Sequence, residues 1–328
     1  MSRLSRSAVY GALIAVLIGL GVISLAAGKI WIPWTAWSAL NDDPRWIVVL
    51  ELRLPRTLLG LMVGAALGVC GAVLQGYTRN PLADPTVLGV SSMAALGAVL
   101  TLYLGVAAAM PWVLPAGAML GAAVGVGVLL VLAGATSSVL TFILAGAILN
   151  TVAAAGVSLA LNLAPNPWAV NEIVNWLMGS VADRSIDDVR MALPFIAVGC
   201  VLLALTARAL DALTLGETGA QSLGVRLDRV RLLIAVGVAL AAGASVAVTG
   251  VIGFVGLVTP HLMRPLVGAR PGALIVPSAL AGAAIVLAAD IIVRLTPSAA
   301  EVKLGVAMAA LGGPFFLALL ISMRRRMA

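Results

Sequence analysis

The chain has 328 residues, of which 62% are hydrophobic and only 10% charged, with a formal net charge of +7; its mean hydropathy is +1.13. Soluble domains carry about 25% charged residues, and a soluble core of this size would leave large apolar patches exposed, so the composition excludes a soluble globular protein and points to an integral membrane protein in a lipid bilayer. In a soluble protein the positive charge would suit nucleic acid, but here the bases lie at the ends of apolar runs, where membrane topology explains them and no nucleic-acid partner is implied.

The N-terminus, MSRLSRSAVYGALIAVLIGLGVISLAAG, has the basic start of a signal peptide. Its apolar part runs about 20 residues from Ala8, long enough to cross a bilayer, and more such runs follow, so it reads as a first membrane helix. Ten candidate spans follow in order: about 8–28, 57–76, 86–109, 111–133, 139–163, 189–210, 231–250, 251–267, 272–293 and 303–322. They are rich in Ala, Gly, Val and Leu, the small-residue composition that lets membrane helices approach closely. They lack the dyad alternation of a membrane barrel. The expected fold is an all-α polytopic bundle forming one domain over 1–328. The run VIGFVGLVTPHLMRPLV at 251–267 carries Gly253, Gly256, Pro260 and Pro265 and predicts a short or broken helix, tolerated at membrane depth only where protein buries it or it lines a cavity.

Ten spans place both termini on one side. That side collects twelve bases, including the basic end MRRRMA, against eight on the other, which makes it cytoplasmic. A faint internal echo relates GAALGVCG (64–71) to GASVAVTG (243–250), matching Gly64, Ala65, Val69 and Gly71 to Gly243, Ala244, Val248 and Gly250, with Pro81 opposite Pro260. The two segments would run in opposite directions, as in the inverted repeats of transporters.

Four segments stand out against this background. The turn TRNPLADP follows the second span; Asn80-Pro81 and Asp84-Pro85 bias each preceding residue away from helix and predict an ordered turn. LGETGAQSLGVRLDRVR (215–231) is a compact polar insert on the cytoplasmic side. Its ETGAQSL core is long enough for about two helical turns, marginal alone in water, so local chemistry leaves open a solvated loop or a docking helix. Arg226, Arg229 and Arg231 behind it read as a basic collar for the next span. In GFVGLVTPHLMRPLVG, His261 is the one histidine of the chain and reads as structural rather than as a ligand. In LAADIIVRLTPSAAEVKLG, Asp290 and Arg294 are spaced to pair on one helix face, and charges at such depth mark pathways or paired sites. Arg53, Arg56 and Arg294 would then supply positive charge outside, either anchored to lipid headgroups or docking an acidic partner. Cys70 and Cys200 lie inside apolar runs and read as small buried hydrophobes. No metal site is expected, and no Walker A, Gly-x-Ser-x-Gly, His-Glu-x-x-His or Cys-x-x-Cys motif supplies nucleotide binding or catalysis.

Together, RLPRTLLGLMVGAALGVCGAVLQGYTRNPLADPTVLGVSS, LGETGAQSLGV, GFVGLVTPHLMR and LAADIIVR, in this order and spacing, resemble the FecCD-type permeases of bacterial ABC importers for ferric siderophores, haem and cobalamin, over about 50–322. The resemblance implies ten helices per subunit, a homodimer in the bacterial inner membrane, and no catalytic residues or cofactor in this chain, since two cytoplasmic ATPase subunits bind ATP and magnesium. It implies a periplasmic binding protein docking from outside on Arg53, Arg56 and Arg294, and a periplasmic connection at 164–188. The cytoplasmic segment 211–228 becomes the coupling element, with Leu215, Gly216, Glu217, Thr218, Gly219, Ala220, Gln221, Ser222, Leu223 and Gly224 at the ATPase contact. The gate maps onto Thr136, Ser137 and Ser138 before the fifth span, in a loop that departs from the family pattern. A second departure is Lys303, where many members have proline. The rival classes are an ion-coupled secondary transporter, with Asp290 as its intramembrane acid, and a non-transporting membrane scaffold.

Overall fold

A chain crossing hydrocarbon must satisfy its backbone hydrogen bonds within each segment, and a helix does so. The computed structural model describes residues 5–28, 45–134, 138–297 and 301–327, and among these the regular structure is helical with no strand. Helix α1 (Arg6–Ala26) starts at Ser5, whose hydroxyl accepts from the Ala8 N–H at 3.2 Å. A short helix α2 (Arg45–Ile47) and a π-helical turn (Val48–Arg53) lead directly into α3 (Leu54–Thr78). The polar turn after α3 is ordered: the Asn80 side chain accepts from the Leu82 N–H at 3.0 Å, and Asp84 accepts from Thr86 at 3.1 Å to start a 3-10 turn, Pro85–Leu88. Then come α4 (Val90–Tyr103), α5 (Val106–Ala109), α6 (Val113–Ala133) and α7 (Val139–Asn162). The 164–188 connection contains an amphipathic helix α8 (Pro167–Leu177), capped by Asn166 and pinned by the buried Ile173. The chain continues through α9 (Ile186–Ala204), α10 (Ala207–Leu213), α11 (Gly216–Ser222), α12 (Leu227–Thr249), α13 (Val255–Val267), α14 (Pro271–Leu295) and α15 (Leu304–Met327).

The ten apolar runs correspond to ten helices. Six are long and apolar enough to cross alone, with α2–α3 counted as one, and the pair α9–α10, bent by 41°, makes a seventh. The other three are α4, α13 and α15. Helix α13 has 13 residues, about 20 Å of rise, well short of a bilayer core. Its predicted break is real: residues 250–254 are non-helical and Phe254 takes a left-handed φ of 67°. Helix α4 is entered through Gly89, also left-handed at φ 69°. Both breaks lie against protein: the Gly89 N–H donates to Thr86 and its carbonyl accepts from Met93, both at 2.9 Å, and Ile252 in the other break is buried.

Helices α3 and α14 run antiparallel in backbone contact. A Cβ added at Gly64 would lie 2.4 Å from the Gly282 carbonyl oxygen, one at Gly68 2.1 Å from that of Ser278, and one at Gly282 2.1 Å from that of Gly64. The internal echo has a counterpart in packing. Helices α3 and α12 both pack on α9; beyond that α3 packs on α13 and α14, whereas α12 packs on α4 and α6, and α3 and α12 are antiparallel, with Tyr77 near the end of one meeting Arg231 near the start of the other. This exchange of partners is what an inverted repeat produces. The proline pair does not share it: Pro81 lies in the turn and Pro260 inside α13.

Both ends of the described chain point to the same end of the bundle. The C-terminus of α1 meets Arg53 and Arg294, and Glu301, just before α15, meets Arg56. Helix α1 therefore begins, and α15 ends, at the opposite end, where α10 and α11 lie. Replacing Gly68 by valine forces α3 off α14 and should lower stability by about 1–3 kcal/mol, read as a drop in thermal midpoint of the detergent-purified protein, while valine at Gly127, where nothing lies within 4 Å of the added Cβ, should leave it unchanged.

Candidate functional site

The polar insert is a two-turn helix rather than a loop. Gly216 and Gly224 bracket α11 with left-handed φ of 89° and 82°. Its end is closed by the Gly224 N–H donating to Gln221 at 2.8 Å and the Val225 N–H to Ala220 at 3.0 Å. Ala220 is fully buried, whereas Leu215 and Leu223 are 69% and 64% exposed. Two large apolar side chains thus stand out from the polar end of the bundle, beside a helix too short to stay ordered alone.

Two carboxylates of this segment cap membrane helices. Asp211 accepts from the Gly272 N–H at 2.8 Å and from Arg270 Nε at 2.7 Å, holding the N-terminus of α14. Glu217 accepts from the Val139 N–H at 3.3 Å, at the first residue of α7. A carboxylate at a helix N-terminus satisfies an orphan donor and meets the positive end of the dipole. Glu217 therefore points into the bundle. It touches the helix that begins where the gate residues were placed: Ser138 caps α7 through Thr141, while Thr136 and Ser137 lie outside the described residues. Of the three collar arginines, Arg231 requires correction. It is 6% exposed, its Nε donates to the Tyr77 hydroxyl at 3.2 Å, and Asp228 lies 3.6 Å away; it ties α12 to α3 because a guanidinium buried there must find hydrogen-bond partners.

Gln75, not singled out in the sequence, joins α3 to α13. Pro260 has no N–H for the carbonyl of Gly256, four residues earlier. Gln75 Nε2 fills that vacancy, donating to Gly256 at 3.1 Å and Leu257 at 3.2 Å, and its Oε1 accepts from Arg264 Nη2 at 2.7 Å. The available signal was an amide inside an apolar span, in a chain with a proline-broken helix elsewhere. His261, on the same helix, stacks edge-on against Phe315 with centroids 6.0 Å apart. Cys70 and Cys200 are free thiols.

Arg53, Arg56 and Arg294 do converge, around one pocket of about 250 Å³ at the opposite end, which Asp183 and Glu301 also line. They are not exposed charges: Arg53 and Arg294 are each 7% exposed. Arg53 donates to the carbonyls of Leu25 and Ala26 at 2.9 and 2.7 Å, so it caps the C-terminus of α1. Asp290 is fully buried and takes both Arg56 Nε (2.9 Å) and Arg294 Nε (2.9 Å). Arg294 also reaches the Ser24 hydroxyl at 2.6 Å, and Arg56 pairs with Glu301 at the pocket mouth. The i,i+4 pair expected of Asp290 and Arg294 is present, and the three guanidiniums turn inward to protein acceptors. Lys303, the position of the proline departure, accepts from the N–H groups of Val306 and Ala307 through its carbonyl and so starts α15.

Replacing Gln75 by leucine keeps the volume but strands two carbonyls and Arg264. We expect a loss of about 1–3 kcal/mol, measured as a lower thermal midpoint; an unchanged midpoint would show that α13 does not depend on this bridge.

The chain is similar to known proteins along nearly its whole length. Residues 15–322 match the FecCD transport family. The chain is 38% identical to the vitamin B12 import system permease protein BtuC of Vibrio cholerae, over 94% of this chain and 92% of that protein. It is 35% identical to the hemin transport system permease protein HmuU of Yersinia pestis, over 99% and 98%. A solved inward-facing structure of a metal-chelate type ABC transporter superposes with a TM-score of 0.86 at 31% identity, covering 97% of this chain and 99% of that one. A multi-pass helical bundle with two polar ends, matched along its length to these transport permeases, the chain belongs to the FecCD transport family.

Proposed function

We propose that this chain is the membrane-spanning permease subunit of an ATP-driven ABC importer, moving an iron chelate, haem or cobalamin from periplasm to cytoplasm across a bacterial inner membrane. The observation that carries the mechanism is the double cap: one short segment, 211–228, holds the N-termini of both α14 and α7. The working unit is a homodimer with the pathway between the copies. Two ATPase subunits dock on α11, with Leu215 and Leu223 as the apolar contacts. ATP and magnesium bind on those subunits; this chain takes no cofactor and performs no catalysis.

Pushing α11 displaces Asp211 and Glu217 together and so moves two membrane helices at once. Helix α14 is a 25-residue rod, about 37 Å long, with Asp211 at one end and Asp290, Arg294 and the arginine pocket at the other. A shift at the ATPase end is thereby felt at the outer end, which is how a two-state bundle is biased from a distance. The secondary-transport rival needs an acid free to exchange its ion, whereas both oxygens of Asp290 are occupied by guanidinium donors.

A binding protein docks at the pocket around Arg53, Arg56 and Arg294 by carboxylate exchange: an acidic side chain of the partner displaces Glu301, 35% exposed, from Arg56. Glu301→Gln frees Arg56 and should tighten association with the binding protein in low salt, whereas Arg56→Glu should abolish it; weaker association of Glu301→Gln would sink this assignment. For coupling, Glu217→Ala should cut ligand-stimulated ATP hydrolysis by the assembled complex roughly fivefold or more, and valine at Gly224, strained by the left-handed φ, should do the same. Stimulation at the unaltered level in both variants would remove α11 from the coupling route.

A further inference from the structure

The outer end of the bundle contains a second cavity, of about 470 Å³, separate from the arginine pocket and next to it in the chain, since Asp183 lines one and Arg184 the other. Arg184, Glu172, Asp187 and Asp188 line it, and Trp112, 63% exposed, stands at its edge. Beneath it an apolar groove of about 600 Å³ runs between α6, α9 and α12, walled by Met119, Leu120 and Phe195 over a floor of alanines. The two spaces share Trp112, Pro115, Met191 and Ala247, so they form one cleft, polar above and apolar below. From Pro115 to Ala123 the apolar part follows α6 for about 12 Å.

The polar part is not closed by its own side chains. Arg184 Nε is buried without a hydrogen-bond partner, an arrangement that costs free energy unless a ligand supplies the acceptor. Burial pulls its guanidinium below the ordinary arginine range, with Asp188 and Asp183 pulling the other way. None of these carboxylates reaches Arg184 Nε: Asp188 caps α9 with Ser185, and Asp187 pairs with the exposed Arg190 at 3.0 Å. One guanidinium beside several carboxylates, above an apolar groove, matches a headgroup that carries both charges.

We propose that this cleft binds a single glycerophospholipid with an aminoethyl phosphate headgroup, its phosphate on Arg184, its ammonium among Glu172, Asp187 and Asp188, and one acyl chain in the groove of α6, α9 and α12. A choline headgroup offers no N–H donors to the carboxylates, and a glycerol headgroup offers no cation. Trp112 occupies the interfacial position that amphipathic rings favour.

The test uses the full-length protein in detergent, equilibrated with vesicles of equal phosphatidylethanolamine, phosphatidylcholine and phosphatidylglycerol, followed by native mass spectrometry of the retained lipid. The expected result is one phosphatidylethanolamine per chain, in about tenfold excess over either competitor, the size of one charge-assisted hydrogen bond. Arg184→Gln should abolish retention with an unchanged thermal midpoint, since its Nε makes no hydrogen bond to the protein and the cost of its burial offsets its attraction to Asp188 and Asp183. Glu172→Gln combined with Asp187→Asn should reduce phosphatidylethanolamine to the phosphatidylcholine level. Ala123→Phe, at an exposed position of the groove, should expel the acyl chain. Equal retention of the three lipids, or retention unaffected by Arg184→Gln, overturns the site; preference for phosphatidylglycerol overturns the ammonium assignment; retention unaffected by Ala123→Phe overturns the groove.

Discussion

The backbones of α3 and α14 touch, and much of the molecule follows from that contact. In a bilayer no hydrophobic effect draws one helix to another, so close packing of small residues must supply the attraction. Gly64, Gly68 and Gly282 allow it, because any side chain there would overlap a carbonyl. Once α3 lies against α14, Arg56 at the start of one can reach Asp290 near the end of the other, at 2.9 Å. A carboxylate and two guanidiniums at this depth would be costly singly. Together with Ser24 and the carbonyls at the end of α1, they satisfy one another and fix three helices at the outer end.

The same helix pair organises the other end by different means. The broken α13 leaves a carbonyl without its donor at Pro260, and Gln75 of α3 replaces that donor. The polar insert then holds α14 through Asp211 and α7 through Glu217. These contacts are few, directional and near the surface, whereas the α3–α14 contact is long and dry.

The inverted relation of α3 and α12 shows in their partners more than in their sequences. Each packs on the short helix that belongs to the other half, α13 or α4, and on the long helix beyond it, α14 or α6. Crossing partners in this way buries both irregular segments at once, which is the condition for irregular backbone at membrane depth.

The ten apolar runs, each matched by a helix among the described residues, were legible in the sequence because hydropathy displays run length directly, though only six or seven of those helices are long enough to cross a bilayer core. The break in 251–267 and the ordered turn at 78–85 were legible for a similar reason: proline and glycine act on their own neighbours, whereas the same local chemistry left 215–224 open between loop and helix, and only the packed structure made it a helix. The Asp290–Arg294 pair followed from helical spacing alone. What only the tertiary structure decided were contacts between residues distant in the chain. Arg231 reads as a surface base until Tyr77, 154 positions away, is seen to receive it. Gln75 has no visible task until α13, with Arg264 189 positions on, lies beside it. Glu217 was marked by its place in the insert, but its inward direction depends on α7, 78 positions earlier. The external arginines were located from sequence, and their burial was not, because Arg56 meets Asp290 across 234 residues. Local conformation is a property of neighbouring residues, whereas the pairing of buried charges depends on which helices the glycines bring together.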